Sequence, residues 1–259
     1  ESIVGAGGTA DEQAGETLYE NGGVRLWRLP EVDAGIGILS VTTRNHVLGR
    51  EVVAGLIAAV QQAETTLDGV VIWHPAPFAF GANLKEVATA CSAGQFEDLD
   101  QVVENFQRAA MSFKYAQVPV VAAVQGMALG GGCEFLMHCA KRVLTMESYV
   151  GLVEAGVGLI PAGGGSKELA LRAAQWAAQS ATPGELMGFL QPVFMTIAMA
   201  KVTGSALEAI DFGFVRPTDT ILLNANELLH VALKEARALA DAGYAPPLKA
   251  RDIPVAGRA

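Results

Sequence analysis

Residues 118–143 read VPVVAAVQGMALGGGCEFLMHCAKRV. The part PVVAAV, residues 119–124, is continuous enough in small and β-branched apolar residues to be a strand buried on both faces. A glycine-rich turn follows over residues 125–132, and Gly130, Gly131 and Gly132 run straight into an apolar helical segment that carries one carboxylate, Glu134. Glycine loses backbone entropy on ordering and is a poor helix former, so three in a row before a buried helix ask for a reason. A strand, a glycine turn and a new helix put free N–H groups at the carboxyl end of a sheet, where they favour negative charge and where open α/β sheets bind ligands.

Working outward, strands and helices alternate. GIGILSV at 35–41 and GVVIWH at 69–74 are short apolar strands, and RVLTM at 142–146 is a further one. Between them, Val53, Leu56, Ile57 and Val60 recur at helical spacing within 50–65, and Leu99, Val102, Val103, Phe106 and Ala110 do so within 96–115. This order predicts an α/β domain with a largely parallel sheet and right-handed crossovers. Residues 1–23, rich in Gly, Glu and Ala, read as a linker or peripheral segment; their GAGGTA at 5–10 lacks the spacing of a phosphate loop. A core over 24–178 is expected, then a helical C-terminal part over 179–245 with helices at 167–178, 185–201 and 222–242, and a polar tail over 246–259. No strand stands out after Gly165 apart from a short candidate at 213–216.

The 259 residues suit one large domain or two small ones, and 51% apolar residues suffice for a sizeable core. A formal charge of −9 argues against a nucleic-acid binder, which needs a basic stripe. Cys91, Cys133 and Cys139 are odd in number and form no CxxC pair, so neither a disulfide framework nor a zinc site is expected, and a reducing, cytoplasmic compartment fits. No apolar run reaches a membrane span, and no signal peptide is evident. The start at Glu1 rather than Met fits a processed or excised piece.

A second glycine-bearing turn follows the 69–74 strand, FAFGANLK at 78–85. Two such turns side by side would aim backbone donors at one developing oxyanion. Glu134 and Glu154, twenty residues apart, both sit in apolar surroundings, which would give two carboxyls unequal proton affinities, as an acid/base pair requires. Together they point to addition or proton transfer beside a carbonyl.

The segments FAFGANLKE (78–86), residues 118–143 and VGLVEAGVGLIPAGGGSKELA (150–170) together resemble the crotonase (enoyl-CoA hydratase/isomerase) superfamily, with looser similarity over 24–178. The resemblance implies a crotonase-like ββα superhelix with a helical C-terminal part. It implies that the backbone N–H groups of Ala82 and Gly131 hold a thioester oxygen, each worth about 3 kcal/mol by analogy with oxyanion holes generally. It implies that Glu134 activates the attacking water and Glu154 protonates Cα. Lys85 falls where a lysine commonly approaches the CoA nucleotide, and Phe80, Gly81 and Gly130 join the substrate-binding turns. The activity implied is enoyl-CoA hydration in β-oxidation, with no metal or organic cofactor and with CoA arriving as part of an acyl-CoA thioester substrate. Alternatives are Δ3–Δ2-enoyl-CoA isomerisation, mainly through Glu154, and a catalytically weak acyl-CoA-binding module.

Residues 191–247 depart from stand-alone crotonases and look like the crotonase portion of proteins that join it to a 3-hydroxyacyl-CoA dehydrogenase; that domain and a homo-oligomer are the expected partners. Asn83 stands where many hydratases have Asp. Gly163–Gly165 read either as a phosphate cradle or as a plain loop, His138 and His230 as packing or surface residues, and His74 as packing or substrate-facing. Ser148 and Ser166 have no matching base, and Met195, Ile197, Met199 and Leu207 read as core, acyl pocket or interface.

Overall fold

A computed structural model describes residues 15–181 and 185–257. Its centre is a seven-stranded sheet in sequential order, β1 (Glu16–Glu20), β2 (Val24–Leu29), β3 (Ala34–Val41), β4 (Gly69–Ile72), β5 (Val120–Leu129), β6 (Lys141–Gly151) and β7 (Thr220–Leu222). Strands β3 to β7 are parallel, while β1, β2 and β3 form an antiparallel meander. The expected sheet is therefore mixed. The segment read as a linker over 1–23 contains an edge strand, β1, whose alternation is masked by Glu and Gly; GAGGTA lies outside the described residues.

Nine α-helices lie among the described residues: α1 (Pro30–Asp33), α2 (Arg50–Thr66), α3 (Leu84–Ser92), α4 (Phe96–Tyr115), α5 (Gly131–His138), α6 (Gly165–Gln179), α7 (Leu186–Ala198), α8 (Ala206–Asp211) and α9 (Leu228–Asp241). The periodic stripes of α2 and α4 supply their buried faces, Val53, Leu56 and Val60 in one and Phe106, Ala110 and Phe113 in the other. These pack with α5 on one face of the sheet; α9 covers the other through Leu229, Ala232, Leu233 and Ala236 against Trp27, Ile38, Val71 and Val121. Successive residues of β4 and β5 thus feed opposite cores, which is why both strands read as unbroken apolar runs.

Three strand expectations are corrected. β5 does not stop at Val124 but continues to Leu129, crossing a bulge between Val124 and Gly126 where Gly126 has φ +67°. β6 likewise extends to Gly151. The helix expected over 222–242 begins only at Leu228, because Thr220–Leu222 pairs with Val143–Thr145 as β7. Residues 213–216 form no strand; Phe214 and Val215 are buried in a loop. The described tail after Gly243 carries neither helix nor strand.

Candidate active site

The second half of β5 and the end of β6 form one ladder, Gly126–Leu129 against Ser148–Gly151, and it closes with the Gly130 N–H donating to the Gly151 carbonyl at 2.9 Å. From this rung the two chains diverge. Gly130 caps α5 with φ +52° and ψ −124°, a conformation that penalises any side chain, and a short 3-10 turn, Glu154–Val157, starts three residues beyond Gly151. Glu134 and Glu154 are thereby placed on the two branches of a single fork.

The glycine run has a steric reason at each position. A Cβ on Gly130 would stand 3.2 Å from Oε1 of Glu154; on Gly131, 2.9 Å from the Phe106 ring; on Gly132, 2.7 Å from the Cβ of Ala79. The helix start is pressed against the 78–83 turn, α4 and Glu154 at once. Beneath it Phe135 stacks on Phe106 (centroids 5.6 Å) and meets Phe113 edge-on (5.3 Å), contacts each worth about 0.5–1.5 kcal/mol beyond area burial.

Ala82 is set by the same logic. Leu48 donates to the Gly81 carbonyl (2.9 Å) and accepts from the Asn83 N–H (3.3 Å). In extended backbone alternate residues point to opposite sides, so the Ala82 N–H faces away from Leu48. Gly81, with φ +87°, brings this turn so close to α5 that a Cβ on it would be 3.1 Å from the Gly131 nitrogen and 2.9 Å from the Leu129 carbonyl oxygen. Gly131 is the first residue of α5, so its N–H lies outside the helix's own ladder. Among the described residues, neither N–H has an acceptor in the turn and cap hydrogen bonds.

Glu134, on the first turn of α5, is only 3% exposed. Its Oε1 accepts the Gly165 N–H at 2.8 Å, at the start of α6. Burial raises its pKa, opposed by the N–H groups of Gly165, Gly163 and Gly164 and by the Lys167 charge. The glycines at 163–165 thus cradle a carboxylate of the chain itself. Glu154 has the opposite environment: its Oε2 is buried without a partner, and burial together with the nearby Glu134 charge lifts its pKa to about 7. Glu134 has the N–H groups of residues 163–165 around its ionised form, whereas Glu154 has only its own backbone N–H and titrates near neutrality.

The remaining predicted residues lie around this fork. Lys85, exposed on the first turn of α3, borders an open cleft of about 690 Å³ with Arg50, Thr43 and Asn83. Phe80 is 41% exposed on the 78–83 turn. Asn83 is the N-cap of α3: its Oδ1 accepts from Lys85 N–H (3.2 Å) and its Nδ2 donates to Glu86 Oε1 (2.7 Å). Its hydrogen bonds go to the helix rather than to the Ala82 or Gly131 N–H groups. Cys133 is buried, and burial first, then Glu154 and Glu134, push its thiol pKa well up, so it is no nucleophile. Ser148 donates to the Val124 carbonyl and Ser166 to that of Pro161, both structural bonds.

His74 is held by packing and backbone hydrogen bonds. It is buried, bonds the Phe78 carbonyl through Nε2, accepts the Val41 N–H at 3.3 Å through Nδ1, and lies with its ring tilted 39° and centroid 3.9 Å from that of His46, whose Nδ1 bonds the Pro77 carbonyl at 2.6 Å. The pair anchors the chain that leads to Ala82. His138 donates from Nδ1 to the Glu134 carbonyl (2.7 Å), and its Nε2 sits 3.0 Å from Lys167 Nζ and 3.6 Å from Glu168 Oε1. The sequence reading missed this group, Lys114, Lys167, Glu168 and Arg172, because helical spacing alone gives no signal that a charged face is buried. No three metal-ligating side chains converge among the described residues.

The family model for enoyl-CoA hydratase/isomerase matches residues 33–188, and the chain belongs to that family. It is 36% identical over 90% of its length to a probable 3-hydroxyacyl-CoA dehydrogenase of Bacillus subtilis, of which it spans only 28%. It is 35% identical over 52% of its length to a putative fatty acid oxidation complex trifunctional enzyme of Rickettsia felis, covering 19% of that protein, and 28% identical over 64% to human mitochondrial methylglutaconyl-CoA hydratase, covering 50%. The crystal structure of an enoyl-CoA hydratase from Polaromonas sp. JS666 superposes with a TM-score of 0.66 over 85% of this chain and 77% of that one; at 24% identity the likeness is one of fold, and the fold is the crotonase fold. No helix among the described residues is long and apolar enough to cross a membrane.

Proposed function

We propose that the chain catalyses the reversible syn addition of water to a trans-2-enoyl-CoA, giving a 3-hydroxyacyl-CoA. The observation that carries this reading is the pair Glu134 and Glu154, in unlike surroundings, on either side of the Gly130–Gly131 turn. Glu134, whose ionised form the N–H groups of residues 163–165 favour, takes a proton from water as the water oxygen bonds to C3. The π electrons move toward C2, and the thioester oxygen gains charge facing the Ala82 and Gly131 N–H groups. Glu154 delivers its proton to C2, and solvent then restores both carboxyls. Preorganised donors in a dry site stabilise charge at the developing oxyanion without reorganisation cost.

Lys85 and Arg50, which line the neighbouring cleft, suit the phosphates of the CoA nucleotide, and Phe80, Gly81 and Gly130 belong to the two turns that would hold the thioester. No metal or organic cofactor enters these steps. The names of the relatives support a 3-hydroxyacyl-CoA dehydrogenase region in the whole protein and a place in fatty-acid oxidation; three free cysteines suit a reducing, cytoplasmic setting. The test is the loss of enoyl-thioester absorbance when the purified chain meets crotonyl-CoA. Rapid loss that Glu134→Gln abolishes supports hydration. Unchanged hydration in that variant overturns the base assignment, and activity confined to Δ3-enoyl substrates makes the chain an isomerase.

A further inference from the structure

At the far end of α5, about 12 Å along its axis from Gly131, lies a separate cavity of about 310 Å³. Its walls come from the end of α4, from α6, from Arg216 and from the tail segment that begins at Tyr244. The volume is at the lower end of the ~300–1,000 Å³ usual for small-molecule pockets.

Its charge is unusual for so acidic a protein. Five cationic side chains, Lys114, Lys167, Arg142, Arg172 and Arg216, interact at close range with only two carboxylates, Glu168 and Asp219. Glu168 is bound to Lys114 at 2.5 Å and Lys167 at 2.9 Å, and Asp219 to Arg142 at 2.7 Å. Arg172 is left without a carboxylate partner of its own. It is 4% exposed, and two of its nitrogens donate to the Met137 and Gly213 carbonyls. Its Nε is buried with no acceptor, and so is the Tyr244 hydroxyl on the opposite wall. Burial, and then Arg142 and Arg216, bring the Arg172 pKa down to about 9. The helix-end carbonyls that would repel an anion are already covered, Met137 by Arg172 and Cys139 by Arg142.

We propose that this cavity is a second ligand site that takes a phosphate group, bound by Arg172, Arg216 and the Tyr244 hydroxyl, with Met137 and Leu171 as an apolar floor for whatever the phosphate is attached to. A doubly charged, multi-acceptor group matches the surplus of fixed donors better than a carboxylate does. The site stands on residues that take no part in the proposed hydration, so its failure and the failure of that reading are separate.

The test is calorimetric titration of the chain with inorganic phosphate and, separately, with phenyl phosphate, at constant ionic strength. One phosphate per chain is expected to bind with a dissociation constant of about millimolar or tighter. Arg216→Gln should weaken it roughly tenfold and Tyr244→Phe several-fold, while Lys85→Gln, in the other cleft, leaves it unchanged. Arg216 is exposed at the rim, and matching melting curves in phosphate-free buffer establish that both variants fold. Tighter binding of phenyl phosphate assigns the site to a phosphate ester; tighter binding of inorganic phosphate assigns it to the free ion. No binding, binding lost in Lys85→Gln instead, or equal binding of acetate would overturn the proposal.

Discussion

Glu134 Oε1 and the Gly165 N–H are 2.8 Å apart, so the first turn of α5 and the first turn of α6 meet through one carboxylate. The contact sets how the carboxyl titrates and where it points. Glu134→Gln keeps an acceptor for Gly165 but cannot take a proton from water. Hydration of crotonyl-CoA should fall about 10²–10⁴-fold with little change in melting temperature; a parallel loss of stability would mean that the residue is structural.

In the proposed hydration, Glu154 is expected to set the alkaline limb. It must be protonated to act as the acid, and its pKa is lifted to about 7 by burial and by Glu134. The kcat/KM of hydration should therefore decline above about pH 7, and Glu154→Gln should remove the inflection along with most of the activity. A folded-state pKa raised for a carboxyl also adds stability at acid pH, and that contribution disappears as the pH rises through about 7. An inflection that persisted in the variant would belong to another group.

Acid stability runs the other way for three histidines. His74 titrates at about 3 and His138 at about 4, both held down first by burial, and His46 is lowered for the same reason. The unfolded chain protonates them near 6.5 while the fold does not. Folding stability is therefore full above pH 6.5 and falls as the pH drops toward 4, by about 1.4 kcal/mol per pH unit for each of His74 and His138. Urea denaturation across this range checks it; a flat profile would show that the imidazoles are free to protonate in place.

Gly132→Ala is predicted to cost about 1–3 kcal/mol, because its Cβ would meet the Ala79 Cβ at 2.7 Å and the Ala79 carbonyl oxygen at 3.0 Å. The 78–83 turn would be pushed away from α5, so activity should fall as well. Gly94→Ala is the contrast: open space surrounds it, and only its φ of +67° resists substitution. Equal destabilisation by both would refute the steric account.

Much of this was legible in the residues. The α4 helix lies over Phe96–Tyr115, where its apolar stripe predicts it, and the two glycine turns adjoin as expected. The missed elements share a cause. β1 and β7 are short edge strands with no fully buried residue, so neither shows a face to read. β5 runs on through Gln125 and Gly126 because its ladder with β6 outweighs the local turn preference of those residues. Asn83, which reads as a departure beside the oxyanion donors, is instead a cap on α3. The exposed Met195, Met199 and Leu207 are not core, whereas Ile197 packs against it.

The Gly130–Gly151 rung sets the twenty-residue interval as a lever arm. Glu134 lies four positions past Gly130 and Glu154 three past Gly151, so two short arms springing from one hydrogen bond carry the two carboxyls, with the Gly165 N–H orienting one of them. One residue added between Gly151 and Glu154 would lengthen one arm of the fork and leave the other unchanged, and so reset the gap between the two carboxyls.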